Sequence, residues 1–214
     1  MSQKDRAYDY LKNAIVTNTM SAGTPVREMD IAAALQMSRT PIREAMRELE
    51  IEGALTSYPS RGAFVVPLTP SDVEEIYELR SLHELWAIER SFDRITDEEL
   101  DIVERMLKES YEAKDSDGCH RADRLLHRLI VEKSGSKRLV AFINTLHTQI
   151  DRIRSISTSQ DFSRMDRSYI EHMEITGLIR NRLLPKCKEA LHHHLRTATN
   201  YAIEASKTVS INME

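Results

Sequence analysis

The chain has 214 residues, of which 41% are hydrophobic and 30% charged, and its net charge is −4 at pH 7. No apolar run approaches the roughly 18 residues of a membrane span, two cysteines exclude a disulfide framework, and the polar first residues are unlike a signal peptide. We therefore expect a cytoplasmic protein with no membrane partner, whose nucleic-acid binding, if any, has to be argued from local charge.

Scarce aromatic residues and few glycines and prolines favour a mainly helical protein, because sandwiches and barrels need many strands and turns. The first part of the chain is predicted to contain three helices, at residues 5–19, 28–35 and 39–52. A hairpin of two short strands follows, at residues 54–58 and 61–66. Three helices and a hairpin form a winged helix-turn-helix, which we assign to residues 1–66.

The third predicted helix has the charge pattern of a recognition helix. Arg39, Arg43 and Arg47 recur every four residues beside an apolar stripe, so they project outward together, where such a helix meets the major groove. Arginine can bind guanine with two hydrogen bonds or anchor a phosphate. The hydroxyls of Ser38 and Thr40 at the helix start suit phosphate oxygens of DNA. Arg61 and Gly62 at the wing tip offer a cation on a compact turn, which could approach the backbone or minor groove. A solvated face with local ion pairs is the alternative.

The same segment resembles the winged helix of the GntR family of bacterial transcriptional regulators. The matching residues are Ser38-Arg39-Thr40-Pro41-Ile42-Arg43-Glu44-Ala45, Leu49, Glu52-Gly53 and Arg61-Gly62 before Phe64-Val65. The resemblance covers residues 6–66 and implies contacts with operator DNA from Ser38, Arg39, Thr40, Arg43 and Gly62. Ala22-Gly23 stands for the usual Pro-Gly, Gln36 for the usual turn glycine, and Met29 for a DNA-contacting arginine of one branch, which leaves the operator sequence open.

The second part, at residues 72–208, is predicted to be entirely helical and to follow a linker at residues 67–71, which holds two prolines. Capping signatures at Ser71 with Glu74 and at Thr96 with Glu99 begin the first two helices. Four further helices are predicted at residues 117–133, 136–157, 162–182 and 185–207. Six helices with short connections predict an antiparallel bundle.

Polar residues lie on helix faces of this part that the apolar pattern predicts to be buried. Asp123 and His127 share one inward stripe, while His172 and His194 lie on the inward stripes of two other helices. Because an unpaired aspartate in an apolar interior is costly, a metal site of one carboxylate and three imidazoles would resolve that cost. Such a set suits zinc, nickel, manganese or iron. Alternatively, each histidine is a satisfied core residue, which is how we interpret His147.

Residues 72 to about 204 resemble the all-helical effector domain of the FadR-like branch of the GntR family, the FCD domain. The matching pieces are Glu78-Leu79-Arg80 with Glu84, Asp123-x3-His127, Glu171-His172 and His194-Leu195. Metal-binding members use one aspartate and three histidines in this order, which implies Asp123, His127, His172 and His194 as ligands. Six helices rather than seven resemble the shorter, VanR-like subgroup.

The resemblance also implies a small organic acid as effector. A divalent cation with an open coordination position attracts a carboxylate, and an arginine can clamp it, so we predict Arg80, Arg154 and Tyr201 as effector contacts. A structural ion pair, such as Arg80 with Glu84, is the alternative role for each arginine.

We accordingly predict a homodimeric repressor that binds double-stranded operator DNA under the control of a small carboxylate, and not an enzyme. The ligand would reorient the two winged helices through the linker. A metal-responsive regulator is the first alternative. A metalloenzyme with a DNA-binding appendage is disfavoured, because no further inward carboxylate is placed as a general base.

Overall fold

The computed structural model describes the backbone of residues 1–158 and 162–211. These residues form two compact units. The first combines Met1–Thr69 with Asn144–Ser155, and the second contains the remaining described residues. None of the described helices has the length and apolarity that a bilayer crossing requires.

The first unit begins as a winged helix-turn-helix, which confirms this part of the predicted fold class. Its elements are α1 (Gln3–Val16), β1 (Pro25–Val26), α2 (Glu28–Leu35), α3 (Arg39–Ile51), β2 (Leu55–Tyr58) and β3 (Gly62–Val65). The sheet is antiparallel in the order β1-β3-β2, with Pro25 paired to Phe64 and Leu55 to Val65. Strand β1 was not predicted, because two residues are too short to show a period. The core comes from all three helices and the sheet and includes Leu11, Ile31, Ile42, Leu49 and Val65.

Among its described residues, the second region contains the six helices that were predicted. They are α4 (Pro70–Ser91), α5 (Asp97–Glu112), α6 (Ser116–Lys133), α7 (Lys137–Thr158), α8 (Phe162–Arg180) and α9 (Leu184–Ile211). The capping box of Thr96 with Glu99 is present at the start of α5. Helix α4 instead begins at Pro70, so Ser71 lies inside its first turn and the predicted cap is wrong. The apolar core comes from all six of these helices, with Leu139 at the start of α7, and includes Ile88, Leu100, Leu126, Ile175 and Leu191.

The middle of α7 belongs to the first unit, although its sequence position assigned it to the helical domain. Its hydrogen bonds join Thr148 to Glu52, Gln149 to the carbonyl of Gly53 and Arg152 to the carbonyl of Val66. Thr148, Gln149 and Arg152 are all buried. The periodicity of α7 identifies a helix but not the unit in which each of its turns is buried.

Candidate metal centre and DNA-contacting face

Three helices of the second unit bring together the four predicted metal ligands. Helix α6 carries Asp123 and His127 one turn apart, α8 carries His172 and α9 carries His194. One ligand atom from each residue lies within 4.8 Å of the others. The histidines are buried, and the Asp123 side chain is 14% exposed. The inward stripes of separate helices therefore converge on one position.

Three of the distances between these atoms are close to those between ligands of one divalent cation. Nε2 of His172 lies 3.2 Å from Oδ1 of Asp123 and 3.2 Å from Nε2 of His194, and Nε2 of His127 lies 3.5 Å from Oδ1 of Asp123. Two ligand atoms about 2.1 Å from an ion, at tetrahedral or octahedral angles, are about 3.0–3.4 Å apart. Nε2 of His127 is buried and has no hydrogen-bond partner among the described residues. A cation at this position would give that nitrogen a partner.

Two buried glutamates orient two of the imidazoles. Glu84 of α4 is hydrogen-bonded to Nδ1 of His127, and Glu171 of α8 lies 2.7 Å from Nδ1 of His194. When Nδ1 carries the proton, the Nε2 lone pair points toward the other ligands, which is how carboxylates orient metal-binding histidines. Neither glutamate was predicted for this role, because their importance arises from contacts between helices that no local period encodes.

Each of these glutamates is also paired with a buried arginine. Nε of Arg80 donates to Glu84 over 2.6 Å, and Nη1 of Arg164 lies 3.4 Å from Glu171. The ion pair considered as the alternative role of Arg80 is thus present, and Glu84 connects it directly to His127. Arg80 is 2% exposed, and its Nη2 is a buried donor without a hydrogen-bond partner among the described residues. Arg164 was not predicted as a site residue, because it lies near the end of the predicted helix and belongs to no recognisable motif.

Burial and neighbouring charges set the ionisation of this cluster. Desolvation lowers the pKa of His172 and lowers the pKa of His194 well below its usual value, so both imidazoles are held neutral, which is the form that binds metals. Burial opposes the ionisation of Glu84, but the charges of Arg80 and His127 outweigh it and hold the pKa of Glu84 at about 2. Burial raises the pKa of Glu171 despite the charge of Arg164. The cluster therefore contains two neutral imidazoles, those of His172 and His194, and an ionised Glu84.

The other two predicted effector contacts lie in different surroundings. The guanidinium of Arg164 lies over the ring of Tyr201 on α9, 5.2 Å from its centroid, so Tyr201 is adjacent to the Arg164–Glu171 pair. Arg154 belongs to the first unit, where its Nη1 lies 3.5 Å from Oδ1 of Asp151. The structure thus places Arg80 and Tyr201, but not Arg154, in the unit that holds the cluster.

The predicted DNA-contacting residues lie on the exposed surface of the first unit. They are Ser38, Arg39, Thr40, Arg43, Arg47, Arg61 and Gly62. Ser38 precedes α3 but makes no capping hydrogen bond, which leaves its hydroxyl at the helix start for an external acceptor. Gly62 has a φ of +85° at the end of the wing turn, a conformation that L side chains disfavour.

Glu28, in the first turn of α2, accepts hydrogen bonds from two of these arginines. Its Oε2 lies 2.9 Å from Nε and 2.6 Å from Nη2 of Arg39. Arg43 donates from Nε to Oε1 and from Nη2 to Oε2, over 3.0 Å in each case. The hydrogen bond from Arg43 is the largest influence that holds the pKa of Glu28 at about 2. The alternative interpretation of this face expects ion pairs within α3, because a partner on another helix leaves no local signal in the sequence.

Comparison with known proteins identifies a family for each of the two regions. A family model of the FCD domain matches residues 75–197, and one of bacterial regulatory proteins of the gntR family matches residues 3–65. The chain is 31% identical over 206 residues to the uncharacterized HTH-type transcriptional regulator YdhC of Bacillus subtilis, covering 94% of this chain and 90% of that one. It is 30% identical over 165 residues to the gluconate operon transcriptional repressor of Bacillus licheniformis, covering 72% and 68%. These are transcriptional regulators and not enzymes.

The solved structure of McbR/YncC from E. coli has the same fold. It superposes with a TM-score of 0.81 at 20% identity and covers 95% of this chain and 98% of that one.

Proposed function

We propose that this chain, which belongs to the GntR family of bacterial transcriptional regulators and carries an FCD domain, is a cytoplasmic repressor whose operator binding is controlled by a small carboxylate. One observation carries the proposal: one carboxylate and three imidazoles meet inside a helical unit of a chain that also has an arginine-rich recognition helix. The six helices α4–α9 support assignment to the VanR-like subgroup.

Asp123, His127, His172 and His194 would hold the metal ion, with zinc, nickel, manganese or iron suited to these ligands. When bound, the ion supplies a Lewis-acidic position for an oxygen atom of the effector. Glu84 and Glu171 orient His127 and His194 toward it.

The unpartnered Nη2 of Arg80 supports a carboxylate as the effector. Glu84 fixes this guanidinium through Nε, so its remaining donors are held in place beside the cluster. Arginine binds carboxylates through paired N–H groups, and a buried donor without a partner is costly. Gluconate, which appears in the name of one relative, is such a carboxylate. The hydroxyl of Tyr201 is a further candidate contact, while Arg154 has no support from its position in the first unit.

The proposed operator contacts are the exposed residues of the recognition helix and the wing. Arg39, Arg43 and Arg47 would enter the major groove, and Arg61 with Gly62 would approach the backbone or minor groove. In the proposed homodimer the subunits would pack through α4, where Leu82 and Trp86 are exposed apolar side chains one turn apart. Two heads would then match a palindromic operator.

The test uses a DNA duplex that the full chain enriches from a random-sequence library, here termed the enriched duplex. Fluorescence anisotropy measures its binding to protein loaded with Zn²⁺ or treated with a chelator, while gluconate and other small carboxylates are titrated. We expect a carboxylate to weaken binding only when metal is present, and His172→Ala to abolish that response without loss of DNA binding. A response to metal alone would favour the metal-responsive alternative. No response to any carboxylate would overturn the proposal.

A further inference from the structure

Glu28 is positioned to control how the recognition helix presents its arginines. It lies at the first position of α2, while Arg39 and Arg43 lie on the first two turns of α3. Both arginines form ion pairs with the carboxylate of Glu28. The side chains of Arg39 and Arg43 are 57% and 55% exposed, whereas Glu28 is only 22% exposed. The carboxylate is thus sheltered beneath two arginines that face solvent.

Glu28 occupies only one edge of each of the two guanidinium groups. It binds Nε and Nη2 of both arginines, and Nη1 of neither one has a partner among the described residues. A guanidinium has five N–H donors, so the edge formed by Nη1 and the outer hydrogen of Nη2 stays free. That edge can donate two parallel hydrogen bonds to O6 and N7 of guanine. The carboxylate and a base can therefore bind the same arginine at once.

Two consequences follow for DNA binding. Holding both side chains in one geometry removes much of their conformational freedom before DNA arrives, which favours contacts that need that geometry. The negative charge also offsets part of the attraction between this surface and phosphates, which is the sequence-independent part of binding. Both effects favour a specific duplex over an unrelated one.

We infer that Glu28 is a specificity-determining positioning residue, which orients Arg39 and Arg43 for base contacts and weakens non-specific DNA binding without touching DNA itself. This inference rests on the proposed function, because it requires that the two arginines contact the operator.

The experiment compares the enriched duplex with a random-sequence duplex at several salt concentrations, using the full chain. Glu28→Gln should weaken binding to the enriched duplex about tenfold and strengthen binding to the random duplex about threefold. The slope of log affinity against log salt for the random duplex should steepen by about 0.9. Glu28→Asp keeps the charge but shortens the side chain, so it should lose affinity for the enriched duplex without gaining affinity for the random one.

Glu44→Gln is the matched control, because Glu44 is exposed next to Arg43 and has no ion pair with Arg39 or Arg43 among the described residues. It changes the charge equally and should leave the ratio of the two affinities much closer to that of the unmodified chain. An unchanged ratio in Glu28→Gln, or an equal fall in both affinities with a lower melting temperature, would overturn the inference. If Arg43→Ala keeps full affinity for the enriched duplex, the proposed role of the arginines itself has failed. If Arg43→Ala loses affinity while Glu28→Gln changes nothing, only the inference about Glu28 has failed.

Discussion

Both units of the chain contain an arginine–carboxylate pair, but they hold it in different surroundings. In the first unit Arg39 and Arg43 are more than half exposed over Glu28, whereas in the second Arg80 and Glu84 are 2% and 3% exposed. Water screens the exposed pair and hydrates its members when they separate. In the interior, a charge that loses its partner has no solvent to replace it.

This difference indicates what each pair contributes. The exposed pair holds two arginine side chains in one geometry at the surface, and it should add little to stability. The buried pair compensates two charges inside the unit, and it connects the polar cluster to α4 through Glu84. Removing the carboxylate should therefore change the free energy of unfolding by different amounts in the exposed and the buried pair.

The largest effect is expected from Glu84→Gln, which removes the carboxylate paired with the buried guanidinium of Arg80. Breaking a buried pair in this way should lower the free energy of unfolding by about 3–5 kcal/mol, measured by urea denaturation. Glu89→Gln, which removes an exposed partner of Lys188 from the same helix, is the control and should have a much smaller effect. A loss below about 1 kcal/mol for Glu84→Gln would show that the buried pair behaves like a surface pair.

The next effect is the stabilisation of the second unit by metal. For chelator-treated protein, Zn²⁺ at about 100 times its dissociation constant should add about 2.7 kcal/mol, which differential scanning fluorimetry detects as a higher melting temperature. His172→Ala should remove most of this shift. His192→Ala, which changes an exposed histidine of α9, should keep it. Equal shifts in the two variants would mean that Zn²⁺ binds elsewhere.

Periodicity and capping chemistry predicted most of the fold because they act locally. Helix α2 has the predicted bounds, Glu28–Leu35, and the capping box of Thr96 is present. Helix α1 ends at Val16, earlier than predicted, because Asn18 has a left-handed φ of 59° that stops it. The burial of the middle of α7 in the first unit was not predicted, since a helical stripe shows that a face is buried but not against which partner.

A smaller effect is expected at Gln36, where the turn before α3 has a left-handed φ of 53°. An L side chain is disfavoured there, so Gln36→Gly should raise the free energy of unfolding by about 0.5–1 kcal/mol. Ala33→Gly, at an exposed position inside α2, should instead lower it by about 0.5–1 kcal/mol. Urea denaturation of both variants measures how much backbone conformation contributes to the free energy of unfolding, for comparison with the contribution of the exposed ion pairs. If both variants are destabilised, the turn at Gln36 is not strained.

The candidate sites could be predicted to the extent that their residues share helix faces. Asp123 and His127 are one turn apart, and His172 and His194 lie on apolar stripes, so their convergence follows from packing these stripes together. The supporting residues Glu28, Glu84, Glu171 and Arg164 were not predicted in these roles. Their partners lie on other helices or, for Arg164 and Glu171, seven residues away on α8, and side-chain pairing at such separations depends on the packing that only the structure shows.

The smallest effect is the acid dependence of the exposed pair. The pKa of Glu28 is about 2 in the folded chain, against an ordinary value of 4.5, because Arg43 and Arg39 bind its ionised form more strongly than burial disfavours it. A carboxylate with a lowered folded pKa stabilises the fold above its unfolded value. That stabilisation is lost as the pH falls from about 4.5 toward about 2.

Glu28→Gln has no such carboxylate, so its free energy of unfolding should approach that of the unmodified chain as the pH is lowered through this window. Urea denaturation at successive pH values measures the difference, and added salt should reduce it because the arginines are exposed. Glu44 has no paired arginine among the described residues. The free energies of unfolding of Glu44→Gln and the unmodified chain should therefore converge less over the same pH range. If the gap between Glu28→Gln and the unmodified chain instead widens on acidification, the carboxylate is not held ionised by Arg39 and Arg43, and the contrast between the exposed and buried pairs loses its basis.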